Sequence, residues 1–175
     1  VWENEYATVF DDDVEFPNGH HGTYLRFRWK APHGVLVLPV RGTQALLVHT
    51  HRYGDPNYSL EAPQGFGTDP AAIAGDAHRE LMEETSLAAV DLTLFAVCGG
   101  DYKCYMYLGQ IGEEQEPNNS NAEKSENILG FQWVDVSRLD FSLDQMEALK
   151  IRDEKTIMSL MYFKMAGLPS RQENP

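Results

Sequence analysis

The sequence predicts a single mixed α+β domain built as a sandwich, and three observations lead there. Val35-Leu36-Val37-Leu38-Pro39-Val40 and Ala45-Leu46-Leu47-Val48 are continuous apolar runs, short enough for strands and apolar enough to be covered on both faces. Ala71 through Glu84 contains no proline after Pro70 and reads as the clearest helix in the chain. Strands come first, then this helix, more strands and two closing helices, an order unlike strictly alternating βαβ units. At 175 residues, 42% of them hydrophobic, the chain is long enough for one domain with an ordinary core.

Taken in order, Tyr6 to Phe16 and Thr23 to Trp29 are strand candidates flanking Pro17-Asn18-Gly19-His20-His21-Gly22, whose Asn-Gly pair signals a turn. Tyr24, Leu25, Phe27 and Trp29 alternate in part, which predicts a half-buried strand. Arg41-Gly42-Thr43-Gln44 joins the two apolar runs as a turn. A Gly- and Pro-rich loop is expected from Tyr53 to Pro70, with Asp69 as helix cap and Pro70 in the first turn. Leu92 to Val97 and Lys103 to Leu108 are strands around a Cys98-Gly99-Gly100-Asp101 turn. Residues 109–127 are polar and read as a mobile loop, and Asn127 to Val134 returns to strand. Ser142 to Lys150 and Asp153 to Met165 read as helices, followed by a frayed tail from Gly167. The expected organisation is an N-terminal strand unit over 1–33, a main domain over 34–168 and a tail over 169–175.

Composition excludes several classes. With 14 Lys and Arg against 27 Asp and Glu, the formal charge is −13, a surface that repels nucleic-acid phosphates and anionic membranes. Cys98 and Cys104 are too few for a disulfide framework and suggest a reducing compartment. No apolar run approaches the roughly 18 residues of a membrane span. Val1 to Asp13 shows no signal-peptide pattern, so a cytoplasmic location is expected. His49 and His51 lie two apart on a strand without a third ligand nearby, which argues against zinc. No Ser-His-Asp order and no Walker loop is present.

The chemistry concentrates in Arg79-Glu80-Leu81-Met82-Glu83-Glu84. A helix turns about 100° per residue, so Glu80, Glu83 and Glu84 share one face, with Asp76 a turn earlier inside the same arc. Ala74, Ala77 and Leu81 fall on a neighbouring arc suited to a core. Clustered carboxylates repel one another unless a cation lies between them, and carboxylate oxygens are the ligands magnesium and manganese prefer. A solvated acidic face and a cation site both accommodate this pattern taken alone.

The stretch from Gly65 to Leu87 resembles the Nudix box, with Gly65, Arg79, Glu80, Leu81, Glu83, Glu84 and Leu87 at the required spacing. Two positions depart: Ala71 stands where the first Glu belongs, and Ser86 where the late Gly belongs. Glu61-Ala62-Pro63-Gln64-Gly65 and His51-Arg52-Tyr53 are similar to segments of the ADP-ribose pyrophosphatase-like subgroup, as are the N-terminal hairpin and Ile151 to Ile157.

The resemblance implies a Nudix α/β/α sandwich with a mixed sheet and an N-terminal β-hairpin, over a Nudix hydrolase domain at 34–168. It implies magnesium-dependent hydrolysis of a diphosphate linkage, in ADP-ribose or a nucleotide sugar, to a nucleoside monophosphate and a sugar phosphate. Carried over by position, Glu80, Glu83, Glu84 and the carbonyl of Gln64 would hold Mg2+, with Mn2+ as a substitute. Glu83 and Glu84 would be catalytic, Arg79 would orient the carboxylates, and Glu126, ahead of Glu123, would be the general base from a late acidic loop. A solvated loop carboxylate is the alternative for either of those two. Ala71 deprives Arg79 of its usual partner, leaving Asp69, Asp76 or Glu61. Ser86 would be strained if the helix exit needs a positive φ.

Arg52, Tyr53, Arg28 and Phe66 are the candidate substrate-binding residues. Arg28, with Arg26 on the same strand face, would act across a homodimer in which the hairpin reaches the second subunit. The implied partners are a small-molecule nucleoside diphosphate and a second copy of the chain, with no nucleic acid and no membrane. The rival reading is a catalytically weak or inactive Nudix-like protein that binds a nucleotide or metabolite.

Overall fold

The computed structural model describes residues 1–53, 58–122 and 127–166. Two sheets form. The first joins β1 (Trp2–Glu3), β2 (Ala7–Glu15) and β3 (His21–Trp29), all antiparallel. The second contains β4 (Gly34–Arg41), β5 (Gln44–His51), β6 (Tyr58–Glu61), β7 (Gln64–Phe66), β8 (Ala89–Cys98), β9 (Cys104–Ile111) and β10 (Ile128–Asp135). Its order is β10-β5-β4-β9-β8, with β6 on β5 and β7 on β4. Among the described residues only the β4–β9 pair is parallel, so the sheet is mixed.

The apolar run of β4 explains the layers. Successive strand residues point to opposite faces, and each face here has its own core. Leu36, Leu38 and Val40 pack with Met106, Ile151, Leu160 and Phe163 under α2 (Leu143–Leu149) and α3 (Glu154–Met165). Val35 and Val37 pack with Ala77, Leu81 and Leu87 under α1 (Ile73–Thr85). Helices therefore cover both faces of the mixed sheet, as an α/β/α sandwich requires.

Pro39 sits inside this buried strand although proline cannot donate to a ladder. On one side β9 runs alongside throughout, pairing Pro39 with Gly109. On the other side β4 pairs with β7 over Gly34–Leu36 and with β5 only at Val40 and Arg41. Pro39 falls in the gap between those partners. β4 and β5 separate there, and the segment carrying β6 and β7 enters the opening, with Val37 N–H donating to Pro63 O at 2.9 Å.

Several elements differ from the sequence expectation. The Tyr53–Pro70 loop contains β6 and β7, whose runs are too short to register as strands. α1 begins at Ile73, not Ala71, and its N-cap Ala72 has no side-chain cap. Asp69 instead accepts from Ala71 N–H at 2.9 Å and shapes the turn before the helix. Ala74 is exposed, and Ile73 packs against the core in its place. Residues 109–111 belong to β9. The described part of the polar segment after them is fastened to α1 at two points: Asn118 N–H donates to Thr85 O at 2.9 Å and Asn121 Nδ2 to Ser86 Oγ at 3.0 Å.

The alternation in β3 predicts half-burial, yet Tyr24, Leu25 and Phe27 are half or more exposed. Leu25 and Phe27 lie on one face of β3 and Tyr24 on the other, and Phe27 and Trp29 turn toward the cleft described below. Cys98 and Cys104 face each other across the β8–β9 pair as free thiols, and burial pushes the Cys104 thiol up to about 12. No helix among the described residues is long and apolar enough to cross a membrane.

Leu81 is fully buried between α1 and the sheet. Leu81→Ala removes buried methyl groups at a site that packing holds open, so stability falls by about 2–5 kcal/mol. Urea unfolding measures this, and a loss under about 1 kcal/mol would mean that α1 does not depend on this contact.

Candidate active site

α1 presents its acidic face to a cleft of about 940 Å³ whose other walls come from β7, the first sheet and the start of α3. Asp76, Glu80 and Glu84 are buried, and the Glu83 side chain is 30% exposed. Carboxylates so enclosed lose hydration and repel one another, so charge and hydrogen bonds must offset that cost.

Arg79 supplies the charge. Its Nη2 lies 2.9 Å from Glu80 Oε1 and 3.4 Å from Asp76 Oδ1, and its Nη1 lies 2.7 Å from Glu83 Oε2. Nη2 also donates to Phe66 O at 2.8 Å, tying the helix to β7. Burial opposes the guanidinium charge, but Glu80 and Glu83 outweigh it and its pKa is raised.

Asp76 anchors the loop ahead of the helix by accepting from Thr68 N–H at 3.0 Å, Thr68 Oγ1 at 2.9 Å and Asp69 N–H at 3.4 Å. Burial works to raise its pKa, while these donors and Arg79 outweigh burial and hold the carboxyl below its ordinary range. His33 Nε2 lies 3.1 Å from Asp76 Oδ2, a close approach without hydrogen-bond geometry. Of the three carboxylates named as replacements for the partner lost at Ala71, Asp76 is the one that reaches Arg79. Asp69 serves its own turn, and Glu61 pairs with Arg52 at 2.5 Å.

Two glycines allow close approaches around the cleft. A Cβ on Gly65 would come within 2.3 Å of the Glu80 carboxylate, so only glycine lets Glu80 lie against β7. A Cβ on Gly67 would come within 2.0 Å of the His33 ring. At the helix exit Ser86 adopts the left-handed conformation, φ 57°, which the displaced glycine would take at less cost.

At the far side of the carboxylates, Gln64 N–H donates to Glu84 Oε1 at 3.4 Å and Gln64 Nε2 to Glu61 Oε2 at 3.3 Å. The hydrogen bond to Glu61 raises the pKa of Arg52 despite its partial burial. At the near side the wall is aromatic. Trp29 and Phe66 have ring centroids 5.0 Å apart, with Tyr6 6.4 Å from Phe66 and Tyr102 6.1 Å from Trp29.

Glu80, Glu83, Glu84, Arg79, Gln64, Arg52 and Phe66 thus line one cleft. Tyr53 is fully exposed and lies outside its lining. Arg28 lies over the Phe10 ring, 5.4 Å from its centroid, beside Arg26 at 4.0 Å, and is also outside the lining. Glu123 and Glu126 fall outside the described residues. Trp29, Tyr102 and Lys155 line the cleft without having been singled out for it. Lys155 carried a readable signal: a lysine in the first turn of a helix opposes the helix dipole, so helix stability does not account for it.

The donor chemistry fits a hard divalent cation, since Glu80, Glu83 and Glu84 offer carboxylate oxygens on one wall. Among the described residues no three His, Cys, Asp or Glu side chains already converge as a metal site. Arg79 holds Glu80 and Glu83 to itself.

The Asp76 shift carries a pH dependence. Its folded pKa lies below the unfolded value of about 3.9, so its stabilisation is full above that pH and is lost as pH falls through the folded value. Asp76→Asn costs about 1–3 kcal/mol at neutral pH and shrinks the drop in urea midpoint between pH 6 and pH 3. An equal drop in parent and variant would remove Asp76 from this role.

Comparison with known proteins agrees with this geometry. The NUDIX domain family matches residues 30–158. The crystal structure of an ADP compounds hydrolase superposes with a TM-score of 0.76 at 21% identity, covering 97% of this chain and 92% of that one. A NUDIX hydrolase from Nitrosomonas europaea superposes with a TM-score of 0.58 at 18% identity, covering 78% of this chain and 90% of that one. No curated protein matches by sequence. Members of the family generally use divalent metal ions. A match over well more than half of the chain, on a fold and a carboxylate helix of this kind, shows that the chain belongs to the NUDIX domain family and is a Nudix hydrolase.

Proposed function

We propose that this chain hydrolyses the diphosphate linkage of a nucleoside-diphosphate derivative, ADP-ribose or a nucleotide sugar, to a nucleoside monophosphate and a sugar phosphate. The observation that carries the reading is the convergence on one cleft of the α1 carboxylates, an aromatic wall and the cation Arg52. Each part suits one part of such a substrate. Trp29 and Phe66 offer ring faces to a base. Arg52 offers a planar pair of donors to phosphate or ribose oxygens. The likeness in fold to an ADP compounds hydrolase supports an adenosine diphosphate half.

Glu80, Glu83, Glu84 and the Gln64 carbonyl would hold magnesium, with manganese as a substitute. Bound there, the metal would neutralise diphosphate oxygens and lower the pKa of a water. Arg79 keeps Glu80 and Glu83 aimed into the cleft, and Asp76 keeps Arg79 in place. Glu126, in the segment before β10, is the proposed base that takes the proton of the attacking water. The rival reading as a binding protein rests on Ala71, Ser86 and the short Arg52-Tyr53 segment; against the first of these, the contact of Asp76 with Arg79 supports the hydrolase.

A homodimer through the first sheet belongs to the same proposal. It would cover Leu25 and Phe27, which share a face of β3 and are half or more exposed, and would bring Arg28 toward the partner's cleft. Light scattering across a hundredfold concentration range is expected to give twice the chain mass. A concentration-independent monomer would remove the dimer.

Purified protein with magnesium is expected to release nucleoside monophosphate from ADP-ribose or an ADP- or GDP-sugar, and to release none without metal. In the Glu83→Gln, Glu84→Gln double variant kcat is expected to fall on the order of 10²–10³-fold, the equivalent of several kcal/mol of charge stabilisation. Saturating metal and no turnover of these compounds, dinucleoside polyphosphates or nucleoside triphosphates would favour the binding reading instead.

A further inference from the structure

The connection between β6 and β7 is only Ala62-Pro63, and it takes the chain from pairing with β5 to pairing with β4. Proline has no N–H to satisfy, and Pro63 O accepts from Val37 N–H at 2.9 Å. Ala62 N–H is the remaining donor, and Ala62 is buried. A buried donor left unpaired costs about 1–3 kcal/mol. The partner comes from 94 residues downstream, where Thr156 Oγ1 accepts from Ala62 N–H at 2.9 Å.

Thr156 lies in the first turn of α3 and is fully buried. Its hydroxyl donates to Asp153 Oδ1 at 2.7 Å, and the same carboxylate oxygen caps the helix by accepting from Thr156 N–H, also at 2.7 Å. Burial opposes the Asp153 charge, but Thr156 and Lys155 outweigh burial and hold the carboxyl below its ordinary range. An ionised acceptor polarises the hydroxyl, which makes its oxygen a stronger acceptor for Ala62. Capping does not account for the threonine. Asp153 needs only a backbone N–H at that position, and threonine is a poorer helix former than alanine. The hydroxyl acts outside the helix, on the strand connection.

That connection leads directly into the site. Glu61, just before it, is buried and paired with Arg52. Gln64, just after it, donates its N–H to Glu84 Oε1 at 3.4 Å and carries the carbonyl proposed above as a metal ligand. Proline fixes its φ near about −65°, so few free torsions separate Ala62 N–H from the Gln64 carbonyl.

We propose that Thr156 is a positioning residue for the metal site: its hydroxyl, held by Asp153, fixes Ala62-Pro63-Gln64 so that the Gln64 carbonyl is aimed at the α1 carboxylates. The inference rests on the hydrolase reading and adds to it a residue from the closing helix. Groups that orient metal ligands, without touching the metal, typically carry about tenfold or more in metal affinity.

The test titrates manganese alone into wild type, Thr156→Val, Thr156→Ser and Ser159→Ala, followed by electron paramagnetic resonance, with the thermal transition of each protein recorded. Valine matches threonine in shape without the hydroxyl, and serine keeps the hydroxyl. Ser159 is the control for a loosened helix, because it is fully buried in α3 and its Oγ donates to Lys155 O at 2.7 Å, within the helix. Thr156→Val is expected to weaken manganese binding about tenfold, Thr156→Ser to recover it to within about threefold, and Ser159→Ala to leave it unchanged while lowering the thermal transition. Magnesium activation of ADP-ribose turnover is expected to shift in Thr156→Val by the same factor, with kcat at saturating magnesium within about threefold of wild type. Should Thr156→Val fail to fold, Asp153→Asn tests the same chain of bonds, since asparagine still caps the helix without the charge. Its manganese affinity is expected to fall about threefold.

Wild-type manganese affinity in Thr156→Val, or in Asp153→Asn in its place, would overturn the inference and leave the hydrolase reading intact, whatever happens to the thermal transition. An equal loss of affinity in Ser159→Ala would also overturn it, because general loosening of α3 would then suffice. Affinities shifted as expected without turnover of any diphosphate would keep the positioning role and remove the hydrolysis. No manganese binding by wild type would remove the metal site and this inference together.

Discussion

The cleft exists because one helix can carry four carboxylates on one face and remain folded. Asp76, Glu80 and Glu84 are buried and Glu83 is half-buried, and the effective penalty for burying even one unpaired carboxylate is several kcal/mol. Arg79 touches three of the four, and backbone donors from Thr68, Asp69 and Gln64 reach Asp76 and Glu84. A substitution at Arg79 would therefore do more than delete a contact. It would leave like charges facing one another in a low-dielectric wall, and they would relieve the repulsion by taking up protons or by moving apart. Either response withdraws the oxygen donors on which any cation in this cleft would rely.

That helix would still be useless in the wrong place, and the sheet decides its place. Because Pro39 breaks the pairing of β4 on one side, β7 can lie along the first half of the strand and β5 along the end. β7 is only three residues long, yet it brings the Gln64 N–H to Glu84, the bare backbone of Gly65 to Glu80 and the Phe66 carbonyl to Arg79. The carboxylate helix and the sheet meet along this short strand, which explains why a glycine opens the motif.

Strong, local signals were legible in the sequence. The apolar runs of β4 and β5 need burial on both faces, and the spacing of Arg79, Glu80, Glu83 and Glu84 fixes a helix face whatever surrounds it. β6 and β7 were not legible, because three or four residues carry too little periodicity and their order comes from pairing with distant strands. The exposure of β3 was hidden for a related reason. Alternation at Tyr24, Leu25, Phe27 and Trp29 says that a strand forms, but not whether a layer covers it. In the site, the residues within the motif were readable, whereas Trp29, Tyr102 and Lys155 enter the cleft only through tertiary packing. The pairing of Glu61 with Arg52 depends on β5 and β6 lying side by side, which sequence distance alone does not reveal.

The departure at Ala71 clarifies what the motif is for. A carboxylate in the loop before the helix and Asp76 inside the helix are different positions in sequence, but both can be reached by one long guanidinium. Asp76 meets that need while also fastening Thr68 and Asp69, so a single side chain braces the loop and steadies Arg79. In this chain the fixed anion near Arg79 stands inside the helix, where the motif places a glutamate ahead of it. The same logic applies at Ser86, where the chain must turn left-handed after the last carboxylate. A serine accepts the strain of about 1 kcal/mol, and its hydroxyl takes a hydrogen bond from Asn121 that a glycine could not. Both departures alter the local means by which the carboxylate helix is held, and neither alters the face it presents.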